Sequence, residues 1–185
     1  GRRAETQAFP VTAEEWDQYD LVLLGDLPVE RMPAAAQQSL VEYLKQRGGA
    51  VVVIAGQQSM PHAYADQPLA EILPVHPLED AAAAGPFDFR ITAEGSEQLA
   101  LMIGESTEAT RAAWDFVNRF SPLQTLSTWR KPKPSAHTLI AAAPRDGSAA
   151  ADAAAAPTSA FLSWQPVGRG RVVYLAAPDT YRLRF

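Results

Sequence analysis

The stretch that decides the fold is YDLVLLGD at positions 19–26, followed by PAAAQQSLVEYLKQRGGAVVVIAGQQS at positions 33–59. Two short apolar runs, 21–24 and 51–54, bracket a polar connection and a longer segment. Runs of this length without alternation suit strands buried on both faces of a parallel sheet. Between them Ala36, Leu40 and Leu44 recur at i, i+4 and i+8, and Val41 widens the stripe. That spacing predicts an amphipathic helix over 33–47, with Pro33 in its first turn and Gly48-Gly49 at its end. A right-handed strand–helix–strand crossover places the C-terminal ends of both strands on one edge of the sheet. Asp26 and the group Gln57, Gln58, Ser59 then meet near one crevice, the place where open α/β sheets bind ligands. An α/β fold follows, with 21–24 and 51–54 expected as neighbouring central strands.

Working outward, Thr12 and Glu15 have the spacing of a capping box, which predicts a short helix from Ala13. Downstream, a short helix is expected over 68–73, stopped by Pro74, and alternation predicts a strand over 87–91. Helical segments are expected over 96–103 and 108–119, the second carrying Ala112, Ala113, Trp114 and Val117, and a strand over 136–143. The runs 160–165 and 171–176 flank Gly168-Arg169-Gly170 and read as a C-terminal β-hairpin. Segments 81–85 and 144–157 are rich in Ala, Gly and Ser and have no apolar stripe to bury, so they are expected to be the loosest internal parts.

Composition narrows the function classes. The chain has 185 residues, 47% of them hydrophobic, enough for one well-filled core. Its net charge of −5 shows no basic excess, which argues against a nucleic-acid partner. The densest basic cluster, Trp129-Arg130-Lys131-Pro132-Lys133, is short and reads as a solvated loop. The absence of Cys excludes disulfides, thiolate metal sites and a Cys nucleophile. No apolar run reaches about 18 residues, so direct membrane insertion by this segment is not expected. Residues 1–8 read as a disordered or tag-derived N-terminus, and 9–185 as a single domain excerpted from a longer protein.

Few residues point to chemistry. The histidines His62, His76 and His137 have no metal-ligand spacing, so no metal site and no cofactor is expected. No GxxxxGK[ST] is present, and the GRG at 168–170 joins two strands rather than a strand and a helix, so it lacks a helix N-terminus for phosphate. Ser59 and His62 lie near the end of the second predicted strand, with Asp26 and Asp179 as acids that could complete a nucleophile–base–acid set. The local sequence Gly56-Gln57-Gln58-Ser59-Met60 is not a GxSxG elbow, and the plainer role for these polar residues is to cap backbone groups in a loop.

Taken in order, FPVTAEEWDQYDLVLLGDL, LVEYLKQRGGAVVVIAG, YADQPLAEILPV, ITAEG, Trp114, KPSAHTLI and GRGRVVYLAAPDTYRLR resemble the class I glutamine amidotransferase-like domain. The branch that this chain resembles occurs in large bacterial membrane-anchored proteins, often beside von Willebrand factor A modules. The resemblance implies a flavodoxin-like three-layer α/β sandwich with a mainly parallel sheet. It also implies a membrane-anchored parent protein; it leaves the side of the membrane open, with the extracytoplasmic side favoured. Active members carry a Cys on the elbow after a strand, which aligns here near Ala55 or Gly56, and a late His–Glu pair where this chain has Ala177-Pro178-Asp179-Thr180. Both are missing. The expected function is therefore a pseudoenzyme: a non-catalytic binding or assembly module whose partner is another protein or another domain of the same chain. The ligand-binding candidates are Asp26, Gln57, Gln58, Ser59, Asp179, Thr180 and Arg182. The alternatives are a hydrolase of altered, Ser- or Asp-based chemistry using Ser59, His62 and Asp26, and a structural spacer with no pocket.

Overall fold

A computed structural model describes residues 9–78, 84–145 and 159–177. The chain runs α1 (Ala13–Trp16), β1 (Leu21–Leu24), α2 (Ala34–Gln46), β2 (Ala50–Ile54), α3 (Pro68–Ile72), β3 (Val75–Pro77) and β4 (Ala84–Ile91). It continues through α4 (Ala93–Ser96), α5 (Thr107–Phe120), β5 (Leu123–Thr125), β6 (Trp129–Pro132), β7 (His137–Pro144), β8 (Ala160–Val167) and β9 (Gly170–Leu175). Seven strands form one sheet in the order β1-β2-β9-β8-β7-β4-β5, while β3 and β6 make a separate antiparallel pair.

This sheet corrects the flavodoxin-like expectation. Only β1–β2 and β2–β9 are parallel, and the other four pairings are antiparallel. The reason lies in the connections. A parallel pair needs a crossover, and α2 alone supplies one between sequential neighbours. Elsewhere the chain doubles back, through the two-residue turn from β8 to β9 and the antiparallel ladder of β4 on β7. Gly168 opens that turn with φ of 59° and sits against the Lys45 carbonyl, so a side chain there would meet backbone.

The sequence expectation for the first strand also changes. β1 and β2 are adjacent, in register from Leu21 against Ala50 to Leu24 against Val53, but β1 is an edge strand rather than a central one. The sheet buries one face here: Leu24, Val51, Val53, Val172 and Tyr174 join the core with Leu40 and Leu44 of α2. On the other face Leu21 and Leu23 are 57% and 62% exposed. A three-layer sandwich would cover them.

Local chemistry sets the element ends. Thr12 and Glu15 close the capping box on α1. Trp16 Nε1 donates to Ser39 Oγ at 2.9 Å, which docks α1 on α2. At the far end of α2, Gly48 and Gly49 take φ of 109° and 82°, and the Tyr43 hydroxyl occupies the space a Gly49 side chain would need.

The basic cluster is another correction. Residues 129–132 form strand β6, and Trp129 and Arg130 are buried rather than solvated. The Arg130 guanidinium lies over the Phe87 ring, 5.5 Å from its centroid, and donates to the Ser127 carbonyl at 2.8 Å. Burial holds its pKa below the usual arginine value, partly offset by the Tyr174 phenol. The two segments expected to be loosest, 81–85 and 144–157, fall mostly outside the described residues.

At the opposite edge, β5 covers only the start of β4. Beyond it the Asn118 side chain of α5 takes the place of a strand: Phe89 N–H donates to its Oδ1 at 2.7 Å, and its Nδ2 donates to Phe89 C=O at 2.9 Å. Asn118→Asp keeps the shape but replaces the donor by a second acceptor facing that carbonyl. The expected loss is about 2 kcal/mol in urea denaturation. A loss under about 0.5 kcal/mol would show that the amide does not hold the edge.

Candidate functional site

The crevice at the C-terminal ends of β1 and β2 is built by two turns. Gly25 and Asp26 leave β1, and residues 56–60 leave β2 and fold back, with Gly56 N–H donating to Met60 C=O at 2.7 Å. The consecutive N–H groups of that turn converge on the Asp26 carboxylate. Gln58 N–H donates to Oδ2 at 2.9 Å, and Ser59 and Met60 N–H donate to Oδ1 at 2.7 and 2.9 Å. Successive backbone N–H groups of this kind make a concave anion-binding nest. Here the chain's own carboxylate fills it.

Gly56 makes the arrangement possible. A Cβ built on it would lie 1.9 Å from Asp26 Cγ and 2.2 Å from Asp26 Cβ. The side chain of Asp26 thus occupies the space above the residue where an elbow nucleophile would project. Tyr64 braces the loop from below. Its ring is fully buried, and its hydroxyl donates to the Leu27 carbonyl at 3.1 Å. Burial, with Glu30 and Asp26 nearby, pushes the Tyr64 phenol up to about 12.

Partial burial alone would raise the pKa of Asp26, but the N–H donors of Met60, Gln58, Ser59 and Gln57 outweigh it and leave the carboxyl below its ordinary value. A depressed folded-state pKa means stability present above the unfolded value and lost as pH falls through the folded one. Acid unfolding below about pH 4 should therefore be blunted in Asp26→Asn, which lacks the titration but is less stable at pH 7. Identical acid limbs for both proteins, measured as melting temperature against pH, would remove Asp26 from that role.

The other sequence candidates fall as follows. Gln57 and Gln58 project to solvent, and Ser59 is nearly buried. His62 is exposed, and its Nε2 pairs with the Gln58 carbonyl at 2.8 Å. Among the described residues no hydrogen bond joins Ser59 Oγ to His62. Asp179, Thr180 and Arg182 lie outside the described residues. No three His, Cys, Asp or Glu side chains among the described residues are grouped as a metal site requires.

A second concavity went unseen in the sequence. A cleft of about 390 Å3 opens between β4, α4 and α5, floored by Phe89, Leu101, Thr110 and Trp114. Phe89 and Trp114 meet edge to face, with centroids 5.8 Å apart. The i, i+3, i+4, i+7 spacing of Thr107, Thr110, Arg111 and Trp114 is present in the sequence, but three of the four residues are polar or charged, so it does not stand out as an apolar face.

No protein-family model and no curated protein matches the chain. Solved structures do. Cytoplasmic Protein STM3548 from Salmonella typhimurium superposes with a TM-score of 0.62 at 15% identity, over 96% of this chain and 70% of that one. Cytoplasmic Protein STM1381 from Salmonella typhimurium LT2 gives 0.64 at 19% identity, over 95% and 72%. At these identities the likeness is one of fold. Both are described as cytoplasmic proteins, which is at odds with the membrane-anchored, extracytoplasmic setting that the family resemblance implied, and that expectation is dropped. No helix among the described residues is long and apolar enough to cross a membrane.

Proposed function

We propose that the domain is a non-catalytic binding or assembly module, related in its β1–α2–β2 unit to the class I glutamine amidotransferase-like domains. One observation carries this: the Asp26 carboxylate sits over Gly56 and takes up the backbone donors of 58–60. Glutamine hydrolysis needs a nucleophile at that point and donors free for the oxyanion. Here neither Ala55 nor Gly56 carries a nucleophile, and the nest already holds an anion. The hydrolase alternative has less to draw on, since the Nε2 of His62 is engaged by a backbone carbonyl and not by Ser59.

Two measurements test the proposal. The purified domain should release no ammonia from glutamine above background; robust release that is lost in Ser59→Ala would overturn it. Emptying the nest should reveal it. Asp26→Ala should melt lower than the parent, and added formate or acetate should raise its melting temperature more than the parent's, by mass action. Equal shifts in both proteins would mean that the nest is not what Asp26 fills.

A further inference from the structure

The cleft between β4, α4 and α5 is held in shape by the chain's own hydrogen bonds. It starts where the Asn118 side chain stops covering the β4 edge, and it runs along residues 89–92. Its opposite wall includes Leu101 and Met102, in a segment that is latched to α5 at two points. Trp114 Nε1 donates to the Leu101 carbonyl at 3.3 Å, and Gly104 N–H donates to Thr110 Oγ1 at 3.1 Å. The second latch is a close approach: a Cβ on Gly104 would lie 2.6 Å from Thr110 N. The volume of about 390 Å3 is within the range of small-molecule sites.

The lining sorts by chemistry. Phe89, Ile91, Leu101, Met102 and Trp114 supply an apolar bed that contains the edge-to-face aromatic pair. Arg111 and Asp115 also line the cleft, one helical turn apart on the same flank of α5. Opposite charges at i and i+4 commonly pair. These two do not: both are exposed, and neither has an ion pair or a side-chain hydrogen bond among the described residues. A cation and an anion stand side by side over an apolar bed, each with its hydrogen-bonding capacity unspent. We propose that the cleft binds a free α-amino acid with a large apolar side chain. The Arg111 guanidinium takes the ligand carboxylate through paired N–H donors, and the Asp115 carboxylate takes its ammonium. The ligand side chain lies against Trp114 and Phe89. An amino acid carries both charged groups on one carbon, so it bridges two side chains whose Cβ atoms are about 5–6 Å apart. A ligand that is only anionic would face Asp115 unmatched, and one that is only cationic would face Arg111 unmatched. A zwitterion satisfies both.

The site deepens the binding-module reading by naming a ligand class, yet it stands on α5 and β4 and not on the crevice. A domain that binds the amino acid and hydrolyses glutamine would sink the earlier reading alone, and one that does neither would sink this one alone. The test is amide NMR of the isotope-labelled 185-residue chain, titrated with L-phenylalanine at neutral pH and constant ionic strength. A ligand of about a dozen heavy atoms in an open cleft sets the expected dissociation constant near about 1 mM. Saturable shifts should centre on the amides of 89–92 and 110–115 and on the Trp114 indole N–H. N-acetyl-L-phenylalanine lacks the ammonium and L-phenylalaninamide lacks the carboxylate, and each should bind at least about fivefold more weakly. Arg111→Gln should erase the penalty on the amide, and Asp115→Asn the penalty on the acetyl compound. Both positions are exposed, so spectra away from the cleft should stay unchanged. Absence of saturable shifts at the cleft overturns the proposal. So do equal affinities for the three compounds, or variants that discriminate among them as the parent does. Binding of the amide as tight as that of L-phenylalanine would mark a site for a peptide N-terminus and overturns it as well.

Discussion

Gly56→Ala should cost about 3–5 kcal/mol of stability, a large effect for a single substitution. Alanine is usually mild on a surface turn. Here its methyl carbon would need the volume held by Asp26, with 1.9 Å to the carboxyl carbon. No rotamer of alanine avoids that, so Asp26 must leave. Its departure strips the charged acceptor from Gln58, Ser59 and Met60 N–H at once, and each such bond contributes about 1.5–3 kcal/mol before water replaces part of it. A double-mutant cycle isolates the cause. Asp26→Gly removes the obstacle as well as the acceptor, so Gly56→Ala in that background should cost far less. A coupling energy of about 2 kcal/mol is expected from guanidinium denaturation. Additive losses would show that Gly56 matters for some reason other than Asp26.

The second large effect is expected at Gln37. This amide is fully buried in α2, where a sequence reading by helical periodicity passes over it. Its Nε2 donates to the Met32 carbonyl at 2.9 Å, and its Oε1 accepts from Leu69 N–H at 3.3 Å. One side chain therefore satisfies the turn before α2 and the first turn of α3. Gln37→Met conserves volume and flexibility, so packing is nearly retained while both backbone groups are left dry and unmatched. The cost should be about 2–4 kcal/mol in chemical denaturation, with the m-value unchanged. A loss under about 1 kcal/mol would mean that the two backbone groups find other partners.

The parts of the fold legible in the sequence are those set by local pattern. The spacing of Ala36, Leu40 and Leu44 and the paired glycines at 48–49 specify α2, and the Gly168 turn specifies the join of β8 to β9. Strand direction was not legible, because a run of Val and Ile states burial and not the sense of its neighbour. Val51 pairs with Val172, and only the long-range topology makes that pairing parallel. Leu21–Leu24 misled for a related reason. Four Leu and Val residues in a row look buried on both faces, but the strand is an edge and two of its side chains face out. Arg130 misled in the opposite sense. Arginine is rarely buried, so charge was taken as exposure, and no sequence pattern announces that the Phe87 ring will receive it.

At the crevice, topology was enough to bring Asp26 to 57–59, since both follow the C-terminal ends of adjacent strands. What the sequence withheld is the reason for Gly56. A glycine after a strand suggests a turn, whereas here it clears room for a neighbouring side chain. On α5, Val117 is buried and Trp114 half-buried while Ala112 is exposed, a division that the helical segment expected over 108–119 did not specify.

The amide of Asn118 has a consequence for how this protein meets its neighbours in a crowded cell. By acting as a false strand it seals one end of the sheet with a side chain, next to a β5 of only three residues. Among the described residues nothing comparable guards the other end. The Leu21–Leu24 strand bears no Lys and no Pro, and it turns Leu21 and Leu23 outward. Growth of the sheet by strand addition is therefore one-sided. A lysine at position 23, which places a charge on the outward face, should suppress aggregation during refolding at little cost to the fold, and the same change made near Asn118 should not.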